Sequence, residues 1–101
     1  MIYSIYISFQ AELDLRNIYE YIAFNLQSPI IASNQIKRLE AGINSLEYMP
    51  FRYGLYNYKL SNNKETHYMN IDNYIILYIP KESDKTVTII RIVYSGRDIK
   101  C

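Results

Sequence analysis

The sequence holds no tryptophan, one cysteine, one histidine, three glycines and three prolines in 101 residues. Each scarcity narrows the possibilities. The lone Cys101 is the last residue and cannot close an intramolecular disulfide, so a reducing compartment is the natural reading. With one histidine and one cysteine, a zinc site of the usual ligand types cannot be built. So few glycines and prolines rule out a collagen-like or linker-type chain, and a hydrophobic fraction of 50% argues against intrinsic disorder. Charge of one sign is also lacking. Lys and Arg number 11 against 10 Asp and Glu, a net of +1, which speaks against a polycation that coats nucleic acid. No apolar run approaches the roughly 18 residues of a membrane span. The N-terminus lacks the basic region and apolar core of a signal peptide. No Gly-rich phosphate loop and no repeat occur. A soluble, cytoplasmic, single domain over residues 1–101 is expected, without staples.

What is abundant is tyrosine, with 12 residues. An apolar ring with a polar tip suits half-buried sheet surfaces and binding faces alike. Charge is uneven: residues 1–50 carry a net of −2 and residues 51–101 a net of +3. The second half therefore offers a weakly basic face, or ordinary solvated charge.

Ile2 to Ile7 alternates Ile and Tyr, which predicts a strand covered on both faces. Ser8 is placed to cap the next element, with Glu12 and Asp14 near its positive end. Ala11, Leu15, Ile18, Tyr19, Ile22 and Leu26 draw one apolar stripe, which predicts a helix over residues 9–26. Ser28-Pro29 signals a second helix start. Ala32, Gln35, Ile36, Leu39, Ile43 and Leu46 form its stripe, and Pro50 ends it. Strands are predicted over residues 55–60, 66–71, 74–79 and 86–94. Pro80 closes the third of these, and Asp72-Asn73 makes a tight connection. The order β-α-α-β-β-β-β gives an α+β domain: an antiparallel helix hairpin covers one face of a twisted sheet formed by the N-terminal strand and an antiparallel meander. The other face stays free for part of the tyrosine and arginine set.

Charged residues on this frame are the candidates for chemistry. Asp14 and Glu20 read as solvated helix charges. In the last strand Val87, Ile89, Arg91 and Val93 share one face by alternation, which pushes Arg91 toward the core or its edge. Two readings of Arg91 stand: a partner for a helix carboxylate such as Glu20 or Glu47, or an anion-binding residue. Gly96 permits a bend after the strand, and Arg97 then projects past the sheet end, where a planar guanidinium suits phosphate or carboxylate.

Four stretches, in order, resemble the RelE/ParE superfamily of bacterial type II toxin–antitoxin toxins. They are Ala11 to Ile22 ("A-x-x-D-L-x-x-I-x-x-Y-I"), Ile43 to Arg52 ("I-x-x-L-x-x-x-P-x-R"), Asp72 to Tyr78 ("x-N-Y-x-I-x-Y") and Arg91 to Asp98 ("R-[IV]-[LV]-[HY]-x-x-R-D"). The resemblance covers nearly the whole chain and implies the same two-layer fold. It implies a growth-arresting toxin without cofactor or metal, neutralised by a cognate antitoxin in a possible hetero-oligomer. One branch, RelE-like, cleaves mRNA on the ribosome with converging basic groups. The other, ParE-like, poisons DNA gyrase without hydrolysis. The ParE-like branch is favoured. Ile75 stands where many RNA-cleaving members carry arginine, and the chain stops at Cys101 short of their C-terminal tyrosine. Only Arg97 matches their basic triad, with Arg91 a second catalytic candidate if the chain is a nuclease. His67 stands where many ParE-like sequences carry arginine, so a degenerate toxin that only binds antitoxin is a further alternative. Tyr19, Tyr74 and Tyr78 are expected in packing. Tyr53, Tyr56, Tyr58, Tyr68 and Tyr94, interleaved with Arg52, Lys59, His67, Arg91 and Arg97, form the candidate set for target or antitoxin binding.

Overall fold

A computed structural model describes residues 2–55 and 65–95. Strand β1 spans Ser4–Ile7 and helix α1 Phe9–Glu20, continued by a π-helical turn over Tyr21–Asn25. Helix α2 spans Pro29–Ser45 and is followed by a short 3-10 turn, Pro50–Arg52. Strands β2 (His67–Ile71), β3 (Tyr74–Lys81) and β4 (Thr86–Tyr94) complete the described chain. Among the described residues the sheet has four strands in the order β1-β4-β3-β2. The meander β2-β3-β4 is antiparallel, and β1 joins it parallel to β4. The α+β arrangement read from the sequence is therefore present. Of the strand expected over residues 55–60, Leu55 forms an isolated bridge to His67, and the rest lies outside the described residues.

Ser8 starts α1 as expected: its Oγ accepts from the Ala11 N–H at 3.1 Å. Ser28 does not cap α2 with its side chain, because its backbone (φ −134°, ψ 71°) is not in the capping conformation, and its Oγ donates to the Leu26 carbonyl instead. Pro29 still opens the helix at its first turn. Helix α2 stops at Ser45, ahead of Pro50. Its last N–H groups tighten to i−3 carbonyls, and Met49, which Pro50 disfavours from right-handed geometry, turns left-handed at φ 49°.

The core lies between the hairpin and one sheet face. Leu39, Ile43 and Leu46 from α2 meet Met69, Ile76, Tyr78, Val87, Ile89 and Ile92 from the sheet, with Tyr3 and Ala11. Gly42 lets α2 approach β2 closely, since a Cβ there would lie 1.8 Å from Ile71 Cδ1. A smaller cluster, Ile22, Ala23 and Ala32, joins the two helices near their connection.

Four expectations fail for local reasons. Strand β1 is an edge strand, so Tyr6 is 57% exposed and it is not covered on both faces. Leu26 is exposed, because the π turn shifts the helix face and the chain leaves the helix there. Strand β3 runs through Pro80 to Lys81, since β2 pairs no further than Tyr78 and a proline is tolerated where, among the described residues, one side of the strand has no partner. The alternation in β4 breaks at a bulge: Tyr78 pairs with Ile89 and Leu77 with Arg91, leaving Ile90 as the extra residue. Ile92 thereby joins Val87 and Ile89 in the core, while Arg91 does not continue their row.

Candidate functional site

The bulge in β4 lies where β1 has already ended, so among the described residues this stretch of β4 has no neighbouring strand on that side. Helix α1 supplies the missing partners. Ser8 gives its N–H to the Ile89 carbonyl and its hydroxyl to the Ile90 carbonyl at 3.2 Å. Asp14 accepts the Ile92 N–H at 2.9 Å. The same carboxylate accepts Arg91 Nε at 2.8 Å, Arg91 Nη2 at 3.3 Å and Gln10 Nε2 at 3.4 Å. Asp14 is buried, and Arg91 remains 39% exposed in its side chain. Asp14 is thus not a solvated helix charge, and it is the carboxylate that pairs with Arg91, in place of Glu20 or Glu47. The spacing Ala11, Asp14, Ile18 carried the signal: an acid on the buried stripe of a helix needs a buried donor, and Arg91 with its bulged backbone provides three.

Three residues beyond Arg91, Tyr94 ends β4 and is 46% exposed. It pairs across the sheet with Tyr74, ring to ring at 5.6 Å and 60°. Burial pushes the Tyr74 phenol above its ordinary value, and the nearby Tyr94, Asp72 and Tyr21 add to this. Ser95 then gives both its N–H and its hydroxyl to the Asn73 carbonyl, at 2.7 and 2.9 Å. The chain is anchored there as it heads toward Arg97, which lies outside the described residues, as do Lys59, Tyr56 and Tyr58. The turn that holds Asn73 is pinned in its own right. Asp72, left-handed at φ 54°, accepts Arg38 Nε at 2.7 Å and Gln35 Nε2 at 2.9 Å. The Arg38 and Gln35 hydrogen bonds hold its carboxyl below the usual range.

Arg52 and His67 sit elsewhere, around the segment that follows α2. The Arg52 guanidinium donates to the Tyr48 and Met49 carbonyls and stacks 4.6 Å over the Tyr53 ring, so it is tied to the turn that follows α2. His67 is buried between Phe51 and Tyr78, stacked 5.7 Å from the latter. Its Nδ1 lies 2.9 Å from the Tyr53 carbonyl, which only accepts, so Nδ1 carries the proton. Tyr78 is fully buried and donates to the Pro50 carbonyl at 2.7 Å, and its phenol is pushed strongly upward by burial. The described candidate residues therefore fall into two groups. Arg52 and His67 meet through Tyr53, and Arg91 and Tyr94 lie further along β4.

Two apolar surfaces went unmarked in the sequence. One is the outer side of β1, where Ile2, Tyr6, Ile7 and Phe9 are exposed. Ser4 and Ser8 direct their N–H groups to the carbonyls of Lys85, just before β4, and Ile89, which leaves those of Ile5 and Ile7 on the outer side, and among the described residues no strand pairs there. The other is the connecting end of the helix hairpin.

The geometry has counterparts. The chain is similar to a structure of the chromosomal ParDE toxin–antitoxin system of P. aeruginosa, at 18% identity and a TM-score of 0.73 over 92% of this chain and 96% of that one. It is similar to the RelBE2 toxin–antitoxin complex of Mycobacterium tuberculosis at 20% identity and a TM-score of 0.64, over 93% and 99% of the two chains. The archaeal RelE–RelB complex from Pyrococcus horikoshii OT3 aligns at 18% identity and a TM-score of 0.63, over 97% and 100%. No curated protein sequence matches the chain. Residues 5–99 match the family model described as the ParE toxin of the type II toxin–antitoxin system parDE. The chain belongs to the ParE toxin family of type II toxin–antitoxin systems, within the RelE/ParE superfamily.

Proposed function

We propose that this toxin arrests growth by binding DNA gyrase, performs no hydrolysis, and is neutralised by a cognate antitoxin. The observation that carries the reading is the engagement of the basic candidates among the described residues. Cleavage of RNA without metal needs several cationic groups converging on one phosphate. Here Arg91 is paired with Asp14, Arg52 is bonded to the turn after α2, and His67 is buried against Tyr78. Ile75 fills the position at which the resemblance expects arginine in RNA-cleaving members. The family match to parDE toxins favours the same branch.

The similar structures from M. tuberculosis and P. horikoshii are toxin–antitoxin complexes, which supports an antitoxin as partner. The open edge of β1 suits one. An extended segment laid along it would take up the outward backbone groups of Ile5 and Ile7 and cover Tyr6 and Ile7. Expression without antitoxin should arrest growth, and primer extension on translated mRNA should show no codon-positioned cuts. Codon-positioned cuts that vanish in Arg97→Ala would assign the chain to ribosome-dependent RNA cleavage instead.

A further inference from the structure

Strand β1 is four residues long and lies at the sheet edge. Its start is fastened to the turn between β3 and β4. The Lys85 carbonyl accepts the Ser4 N–H at 2.9 Å, one residue after the Glu47 carbonyl accepts that of Tyr3 at 2.9 Å. Side chains repeat the tie. The Tyr3 hydroxyl donates to Glu82 Oε1 at 2.5 Å, and Lys85 Nζ donates to Glu82 Oε2 at 2.5 Å. The same ammonium lies 5.2 Å from the centre of the Tyr3 ring, which is buried. Lys85 does this from a left-handed backbone, φ 54°, a conformation that costs an ordinary L residue energy. The bonds from Lys85 and Tyr3 hold the Glu82 carboxyl below its usual range, so it is ionised at neutral pH.

We propose that Tyr3, Glu82 and Lys85 form a latch that holds the β1 edge in the register an incoming antitoxin segment needs. This rests on the reading that such a segment adds to that edge. Register is set strongly only where one face of a strand is apolar and the other is not. Ile2 to Ile7 carries large apolar residues on both faces, and Ile2, Tyr6 and Ile7 are exposed, so alternation sets it weakly here. A slip of one residue would turn the N–H groups of Ile5 and Ile7 inward and reverse the faces of every side chain. The latch selects one register, because it takes the hydroxyl of Tyr3 and leaves Tyr6 outside. A partner that meets a frayed or slipped edge binds more weakly, in proportion to the fraction of chains with the edge in place.

Hydrogen exchange of the full-length chain, with titration calorimetry against the full-length cognate antitoxin, tests this. Glu82→Ala and Tyr3→Phe should each speed exchange of the Ser4 and Ser8 amides about 10-fold while those of β3 keep the parental rate. Both should weaken antitoxin binding roughly 10-fold. Glu82→Gln, which keeps an acceptor for Tyr3 and Lys85, should stay closer to the parent in both measurements. Unchanged exchange at Ser4 and Ser8 in Glu82→Ala overturns the latch, and so does equal acceleration in β3, which would mark a general loss of stability. Faster exchange with parental affinity also overturns it. Ile7→Lys separates the two readings: if it weakens binding and Glu82→Ala does not, the latch fails and the edge reading stands. If Ile7→Lys binds like the parent, the edge reading fails and the latch falls with it.

Discussion

The Asp14 carboxylate receives both the guanidinium of Arg91, at 2.8 and 3.3 Å, and the backbone N–H of Ile92, at 2.9 Å. One acid thus fastens α1 to the bulge of β4 and satisfies an edge that β1 is too short to reach. Its removal strands an N–H and a cation, whereas removal of Arg91 leaves the acid with its backbone donor. Asp14→Ala should therefore cost about 2–4 kcal/mol, and Arg91→Ala about half of that or less. Urea denaturation of both single variants and the double variant measures this, and the double variant should be less destabilised than the sum.

Tyr78→Phe should cost about 1–2 kcal/mol, because the Pro50 carbonyl loses its buried donor while ring packing against His67 persists. The shift in denaturation midpoint at constant slope is the readout.

Acid should loosen the tie between α2 and the β2–β3 turn. Asp72 has a folded-state pKa below its ordinary value, held down first by Arg38 and then by Gln35. Its contribution is therefore present above the unfolded value of about 3.9 and is lost as pH falls through the folded one. The pair is exposed, so the effect is small. Asp72→Asn, which tolerates the left-handed turn, should flatten that part of the stability–pH curve below about pH 4. Parallel curves for variant and parent would contradict the assignment.

Antitoxin affinity should respond to the β1 edge. Ile7→Lys places a charge on a 37%-exposed edge residue. It should weaken antitoxin binding about 10–100-fold, equivalent to roughly 1.4–2.8 kcal/mol, with little loss of stability. Titration calorimetry of Ile7→Lys and the parent decides it.

How much of this was legible follows from where the determinants lie. Strand β4 was readable to its ends, because nine residues from Thr86 to Tyr94 are almost all β-branched or aromatic. The helix stripes were readable for the same reason, and the Ser8 cap by its residue type. The bulge at Ile90 was not, since no glycine marks it and its cause is tertiary: α1 crossing the edge of β4. The Asp14–Arg91 pair spans the chain, so spacing could place each partner on its element but could not join them. Tyr3 is buried by its bond to Glu82 and its contact with Phe51, both non-local, and alternation alone could not single it out from Tyr6.

The proposed inhibition of gyrase without hydrolysis is measured by supercoiling of relaxed plasmid with purified gyrase. Added toxin should block supercoiling or trap cleaved DNA, and prior mixing with antitoxin should restore full activity. Undiminished supercoiling at excess toxin, from a preparation that still arrests growth, would contradict it.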